Sequence, residues 1–349
     1  MAVDIFSVRS MLAALEQAKP PRTWILDTFF TSSQTFDTET VDIDIIKGHR
    51  RMAPFVNPRL QGKVVERRGY KTRSYKPAYI KPKMVTTAAD IFKRDPGQHI
   101  YAGNIGPAAR AAMQVGLDLA ELDTMITRRE EWMAAMALTT GTVPVIGEGV
   151  DDLVDFLFDA THLPALVGTA QWDDSTNATP LDDLKTWKRL VAKDSGIAPT
   201  VCLMGLSALD NFLKCDQVIG TSTGGKTVFN MINVMMGRID PKLLPNGITY
   251  YGTLTEVGLE IYTYEEWYID DESGIEAEMM PTSKVLLGSP STRATRMYGA
   301  IQDLDATAAV PRFPKSWTEK DPSARFIMLQ SAPLPAPLEP DAFLCATVL

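Results

Sequence analysis

The chain has 349 residues, 45% of them hydrophobic, and a formal net charge of −8. It is long and apolar enough for two packed lobes, each burying its own core, which excludes a wholly disordered chain; the negative total argues against duplex binding by the surface as a whole. Cys202, Cys215 and Cys345 form no C-x-x-C pair, and an odd number cannot all be bridged within one chain, so a reducing compartment is expected.

At the start, Ile5, Val8, Met11, Leu12 and Leu15 recur at helical spacing, interrupted by Asp4, Arg9 and Glu16. This predicts a short amphipathic helix over Met1 to Lys19 and not the continuous apolar core of a signal peptide. No window approaches the roughly 20 apolar residues of a membrane span. Pro20 and Pro21 stop the helix; Trp24, Ile25, Leu26, Phe29 and Phe30 follow as an apolar anchor; and Val41, Ile43 and Ile45 alternate with polar residues in strand period.

Lys47 to Lys83 is the most biased segment. It carries a net charge of about +11, which leaves about −19 for the remainder, so a basic limb is joined to an acidic body. Val64-Val65 and Tyr75 to Ile80 are expected to pair as strands of a hairpin, with Gly62 and Gly69 as turn points. Three readings stand for it: nucleic-acid contact, with Tyr70, Tyr75 and Tyr79 stacking on bases; a merely solvated face; and docking onto the acidic body of another copy, where opposite charges steer and register the contact. The last is favoured, with Arg59, Lys63, Arg67, Arg68, Lys71 and Arg73 as its intersubunit contact residues.

The longest predicted helix spans residues 107–138. Asn104 is its candidate cap, Pro107 an early helical position and Gly141 its terminator. Met113, Leu117, Ala120, Met125, Ile126, Trp132 and Met136 are expected to form one buried face, and the helix would run roughly 48 Å. From Thr142 to Trp172, Val143, Val145, Leu153, Phe156, Phe158 and Leu166 among glycine turns suggest antiparallel strands. Thr179-Pro180-Leu181-Asp182-Asp183 then opens a helix reaching Ala192, with threonine as cap and acids in the first turn, where the helix dipole accounts for the paired carboxylates better than catalysis does. Residues 198–206 read as an apolar strand that buries Cys202, residues 207–213 as a helix, and residues 248–268 as strands closed by a hairpin tip at Asp270-Asp271-Glu272. Those acids lack the alternate spacing of a calcium loop.

Gly220 to Thr227 matches G-x-x-x-x-G-K-[ST], the pattern in which backbone amides cradle phosphates and Lys226 would reach the outer ones. A working loop must follow a buried parallel strand. Here Asn211 to Gln217 looks like a helix end, leaving only Val218-Ile219 as strand, and no apolar strand ending in a magnesium-holding aspartate follows. The segment is better read as a flexible polar tip. His49, His99 and His162 are too widely spaced for a metal pair, and no Gly-x-Ser-x-Gly elbow occurs. No catalytic, cofactor or metal site is therefore expected.

The C-terminal run from Tyr298 to Leu349 sets aromatic and apolar residues among prolines, with strand-like Arg325 to Gln330 followed by Pro333, Pro335, Pro337 and Pro340 as rigid extended chain. Within it, Tyr298-Gly299-Ala300-Ile301-Gln302-Asp303, Phe313-Pro314-Lys315-Ser316-Trp317 and Gln330-Ser331-Ala332-Pro333-Leu334 stand in an order that resembles the major capsid proteins of lambda-like tailed phages. Phe29-Phe30, Tyr79 to Lys83, Trp172, Pro180 to Asp183 and Gly205 extend the similarity along nearly the whole chain.

The resemblance implies an α+β chain with the Hong Kong phage-type capsid fold. It divides the chain into an N-terminal arm with the first strand (1–46), a basic extended β-hairpin loop (47–83), a peripheral domain with a spine helix (84–183), an axial domain (184–285) and C-terminal strands returning to the peripheral domain (286–349). It implies a structural protein, not an enzyme, that self-assembles through hexamers and pentamers into an icosahedral shell. That shell encloses double-stranded DNA without sequence-specific binding, and its acidic wall does not grip the DNA. A scaffolding protein, a portal and a decoration protein are the implied partners, with assembly in the host cytoplasm, no membrane step and a final location in the virion. Met1 carries the expectation that no N-terminal scaffold segment is removed. The alternatives are a nucleotide-binding enzyme using Lys226 and a nucleic-acid binder using the basic hairpin.

Overall fold

The computed structural model describes residues 11–12, 23–45, 52–53, 55–59, 61–64, 71–87, 107–219, 242–244, 247–254, 256–270, 274–306, 309–321 and 323–349. Outside them lie most of the expected first helix, the cap Asn104, the contact residues Arg67 and Arg68, the acids Asp271 and Glu272, His49, His99, and the whole Gly220 to Thr227 loop with Lys226.

Helix α1 (Trp24–Phe29) buries Trp24, Ile25, Leu26 and Phe29, and is followed by β1 (Ser32–Thr35) and β2 (Val41–Ile45). β2 pairs antiparallel with β3 (Lys71–Tyr75), Val41 opposite Tyr75 and Ile43 opposite Arg73. Of the expected pairing of Val64-Val65 with Tyr75 to Ile80, Val65 lies outside the described residues, and Tyr75 pairs with β2 instead. The alternating apolar residues of β2 can cover a core face, whereas Val64 is 92% exposed and Ile80 bridges to Ser331. β4 (Lys83–Thr87) then leads toward the long helix α2 (Pro107–Thr140).

Proline opens α2 where a missing N–H costs nothing, and Gly141 ends it at φ +73, a backbone conformation that a side chain resists. At 34 residues the helix runs roughly 51 Å. Its buried stripe is Val115, Leu119, Leu122 and Ile126, while Met113, Leu117 and Met125 are 55%, 61% and 48% exposed. The expected face is thus corrected in part: Ile126 belongs to the buried stripe, and Trp132 and Met136 pack against the cores farther along, but Met113, Leu117 and Met125 lie on the open side. Toward its C-terminus the helix is enclosed, with Met133, Ala134, Ala135, Ala137 and Leu138 all buried.

β5 (Thr142–Gly147) and β6 (Val150–Asp155) form an antiparallel hairpin. The strands expected beyond it are replaced by short 3-10 turns at Ala160–His162 and Gly168–Ala170. Helix α3 (Pro180–Asp194) starts at Pro180 as expected, but Thr179 does not cap it through its side chain; Gln217 Oε1 instead accepts from Leu181 N at 2.9 Å. β7 (Val201–Met204), α4 (Leu206–Lys214) and α5 (Asp216–Ile219) follow. Val218 and Ile219 are helical, not a strand.

The central sheet has the order β18-β13-β7-β10-β9-β8. Its strands are β7, β8 (Lys242–Leu243), β9 (Ile248–Leu254), β10 (Leu259–Tyr264), β13 (Lys284–Gly288) and β18 (Leu344–Thr347), and β7 and β10 run parallel. Strand period decides which core each residue joins. Cys202 and Met204 pack with Leu184, Trp187 and Phe212 of α3 and α4, whereas Val201 and Leu203 pack with α1, Ala134 and Leu138. All three cysteines are free and buried, and burial pushes the Cys345 thiol up to about 12.

β11 (Trp267–Ile269) and β12 (Glu276–Glu278) form the two-stranded hairpin expected around the acidic turn. β14 (Ala294–Tyr298) lies between β1 and β17 (Pro333–Pro337); β15 (Phe313–Lys320) pairs with β16 (Ser323–Gln330), which also pairs with β4. Ala332 O accepts from Gly299 N, and Leu338 N donates to Arg293 O. In an antiparallel ladder this parity turns Leu334 and Ala336 toward β14, so Pro333, Pro335 and Pro337 place their missing donors at the outer edge. Pro340 starts a 3-10 turn, which corrects its reading as extended chain.

The long helix also fastens the N-terminal anchor. Glu131 accepts from Ile25 N at 2.8 Å and Leu26 N at 3.0 Å, serving as the N-terminal cap that α1 lacks locally. Burial raises its carboxyl from 4.5 to about 7, against the lowering effect of those amides. A carboxyl held above its unfolded value contributes stability that is fully present below about 4.5 and lost as pH rises through about 7. Denaturation of the unassembled chain should show this decline, and Glu131→Gln should flatten it. The same variant should cost about 1–3 kcal/mol through a lost amide partner; an unaltered pH profile would contradict the assignment.

Candidate intersubunit surface

The basic limb leaves the body at the β2–β3 pair. Val41, Ile43 and Tyr75 are buried there, and the Tyr75 hydroxyl donates to Asp155 O at 2.7 Å. Of the six predicted contact residues, Arg59 and Lys63 are exposed, and Arg59 N bonds Asn57 Oδ1 at 3.0 Å. Arg73 is half-exposed and pairs with Asp155 of its own chain at 3.8 Å; it holds the root of the limb. Lys71 sits at the start of β3 opposite Ile45. Beside Arg59 and Lys63, Met52, Phe55 and Val64 are 89%, 102% and 92% exposed. The limb thus combines positive charge with large apolar groups that its own body leaves in water.

The C-terminal run is fastened to the long helix by charges that sequence reasoning missed. Arg312, only 16% exposed, donates from Nε to Asp123 Oδ1 at 2.9 Å, and from Nη1 and Nη2 to Glu130 Oε1 and Oε2 at 2.6 and 3.0 Å. Nη1 also reaches Ser331 Oγ at 3.0 Å. Burial works against the guanidinium charge, but Glu130 outweighs it and holds the group above its ordinary range. No local pattern marks an arginine whose carboxylate partners lie 189 and 182 residues away in the chain.

The segments that carry the resemblance meet next to this cluster. Lys315 Nζ donates to both oxygens of Asp303, at 2.7 and 2.9 Å, and Gln330 Nε2 donates to Oδ2 at 2.9 Å. The hydrogen bond from Lys315 pulls the Asp303 carboxyl down to about 2. The Tyr79 hydroxyl in turn bonds Gln330 Oε1. Three motifs of the C-terminal run and Tyr79, near the end of the 47–83 segment, therefore hold a single register.

Upstream of the loop with the phosphate-binding pattern, α4 and α5 are helical and no strand leads into it, so the strand-to-loop context of a nucleotide site is missing. His162 is a structural tie: Nδ1 lies 2.7 Å from Phe343 O and Nε2 lies 3.2 Å from Asp194 Oδ2. Among the described residues, no helix is long and apolar enough to cross a membrane.

Residues 7–348 match the family model described as phage major capsid protein E. The major capsid protein of Enterobacteria phage P21 is 29% identical over 99% of this chain and 100% of its own length, and that of Escherichia phage lambda is 27% identical over 98% of each. A crystal structure described as that of a prophage capsid protein from E. coli CFT073 superposes with a TM-score of 0.69 at 20% identity, covering 98% of this chain and 99% of that one. With that fold, and with a whole-length family match, the chain belongs to the phage major capsid protein E family and is a capsid protein of the lambda-like type.

Proposed function

We propose that copies of this chain close a shell by laying the basic limb, residues 47–83, across a neighbouring subunit. The observation that carries this reading is the exposure of Phe55 and Val64 beside Arg59 and Lys63. An apolar and cationic segment standing off its own body is a surface in want of a partner, and the acidic remainder of another copy supplies the opposite charge. Head-to-tail contacts of this kind close into rings only at the right rotation, giving hexamers and pentamers. Many such interlocked contacts stabilise the shell without any single strong bond.

On this reading, residues 1–46 are the arm with the first strand, residues 84–183 are the peripheral part with the long helix as its spine, and the segment 184–285 is the axial part whose tips meet at ring centres. The C-terminal segment 286–349 returns to the peripheral part, with β18 adding to the central sheet beside β13. The role is structural, not catalytic. A scaffolding protein, a portal and a decoration protein complete the assembly in the host cytoplasm, and the virion shell encloses double-stranded DNA without reading its sequence. Reversing Arg67 and Arg68 to glutamate should abolish shells in electron micrographs while leaving the subunit folded. Shells of normal number and shape from that variant would refute limb docking.

A further inference from the structure

The acceptor for the limb can be sought in the hairpin β5–β6. Its register places Pro144 opposite Leu153 and Ile146 opposite Asp151, so these four side chains share one face. The other face is rooted in the core through Val143 and Val154. Ile146 and Leu153 are 62% and 61% exposed, and Val150 at the tip is 49% exposed. Acids edge this apolar row: Glu148 and Asp151 are exposed, and among the described residues no ion pair within 4.0 Å reaches either of them. The surrounding sequence has no lysine or arginine between Arg129 and Lys185. Arg73 pairs with Asp155 at the base of the hairpin, but among the described residues no ion pair reaches Glu148 or Asp151 toward its tip.

Limb and hairpin are thus complementary in two independent respects. One offers exposed Met52, Phe55 and Val64 with Arg59 and Lys63; the other offers exposed Ile146, Val150 and Leu153 with Glu148 and Asp151. They do not satisfy each other within one chain, because both remain exposed. The hairpin is also a firm platform, since its base is held by Arg73 and Tyr75 at Asp155. The residues between Ile45 and Lys71 allow a reach of up to roughly 40 Å out from the β2–β3 root. We infer that the exposed face of the β5–β6 hairpin is the docking site for the basic limb of a second copy of this chain. This rests on the reading that the limb docks between subunits, and it names the acceptor.

The test replaces Phe55 with the photo-reactive p-benzoylphenylalanine in the full chain, irradiates assembled shells and the unassembled subunit, and maps crosslinked peptides by mass spectrometry. The expected result is an intersubunit crosslink to the peptide containing Leu153, in shells only. A crosslink to another segment of a neighbour overturns the hairpin as acceptor and leaves limb docking intact, whereas normal shells with no intersubunit crosslink overturn both. In parallel, Glu148→Lys with Asp151→Lys should lower shell yield at least tenfold, and adding Arg59→Glu with Lys63→Glu should restore it. An unchanged yield from the hairpin variant, or no restoration by the double reversal, also overturns the assignment.

Discussion

Replacing Arg312 with methionine should lower the unfolding free energy of the unassembled subunit by about 3–5 kcal/mol, measured by denaturant titration. The cost arises from what the substitution leaves behind. Glu130 is 6% exposed and receives two guanidinium hydrogen bonds, at 2.6 and 3.0 Å. Without them its charge is buried with, among the described residues, only the Tyr298 hydroxyl, 3.4 Å away, as a donor. Removing one member of a buried pair is far more harmful than removing both. Arg312→Met with Glu130→Gln should therefore recover most of the loss, since Asp123 at 15% exposure retains some access to water. A single variant as stable as the native chain, or a double variant worse than the single, would contradict the cluster's role in fastening the C-terminal run to the spine helix.

Gly205→Ala should be comparably damaging, at or above the upper end of the ~1–3 kcal/mol usual for overpacking. Gly205 has φ −65, so the backbone conformation itself is ordinary. The obstacle is space. A Cβ there would lie 2.3 Å from Pro281 O and 2.4 Å from Thr282 O, and these backbone atoms are themselves held in place: Ala208 N donates to Thr282 O and Gly205 N to Lys284 O, both at 2.9 Å. Moving them would disturb β7 and β13 in the central sheet. Gly116→Ala is the control of opposite sign. Its Cβ meets nothing within 4 Å on the open side of the spine helix, and alanine there should stabilise by roughly 0.5–1 kcal/mol. Equal effects from the two variants would show that close approach is not what requires Gly205.

These two sites also mark how far the sequence could be read. The spine helix was legible because its signals are local: Pro107 at one end, Gly141 at the other and apolar residues throughout. Its buried face was not, since burial depends on where β16 lies and not on where methionines recur. β2 was legible from its alternation, but nothing local named its partner: β3 lacks a strong apolar pattern and is selected by tertiary packing against Phe156 and Val143. The order of the central sheet, where β18 joins β13 from the far end of the chain, leaves no local trace. The buried contacts of Arg312 are equally silent in the sequence. The basic limb was visible through its charge, while its hairpin acceptor needed the register to show that Ile146 and Leu153 share an exposed face.

The most direct measurement is electron cryomicroscopy of the assembled protein, the same imaging applied to the unaltered chain. The prediction is closed shells of fivefold and sixfold rings, in which density for residues 47–83 crosses to an adjacent subunit. Shells whose limbs fold back on their own subunits, or a protein that forms no rings at all, would contradict it.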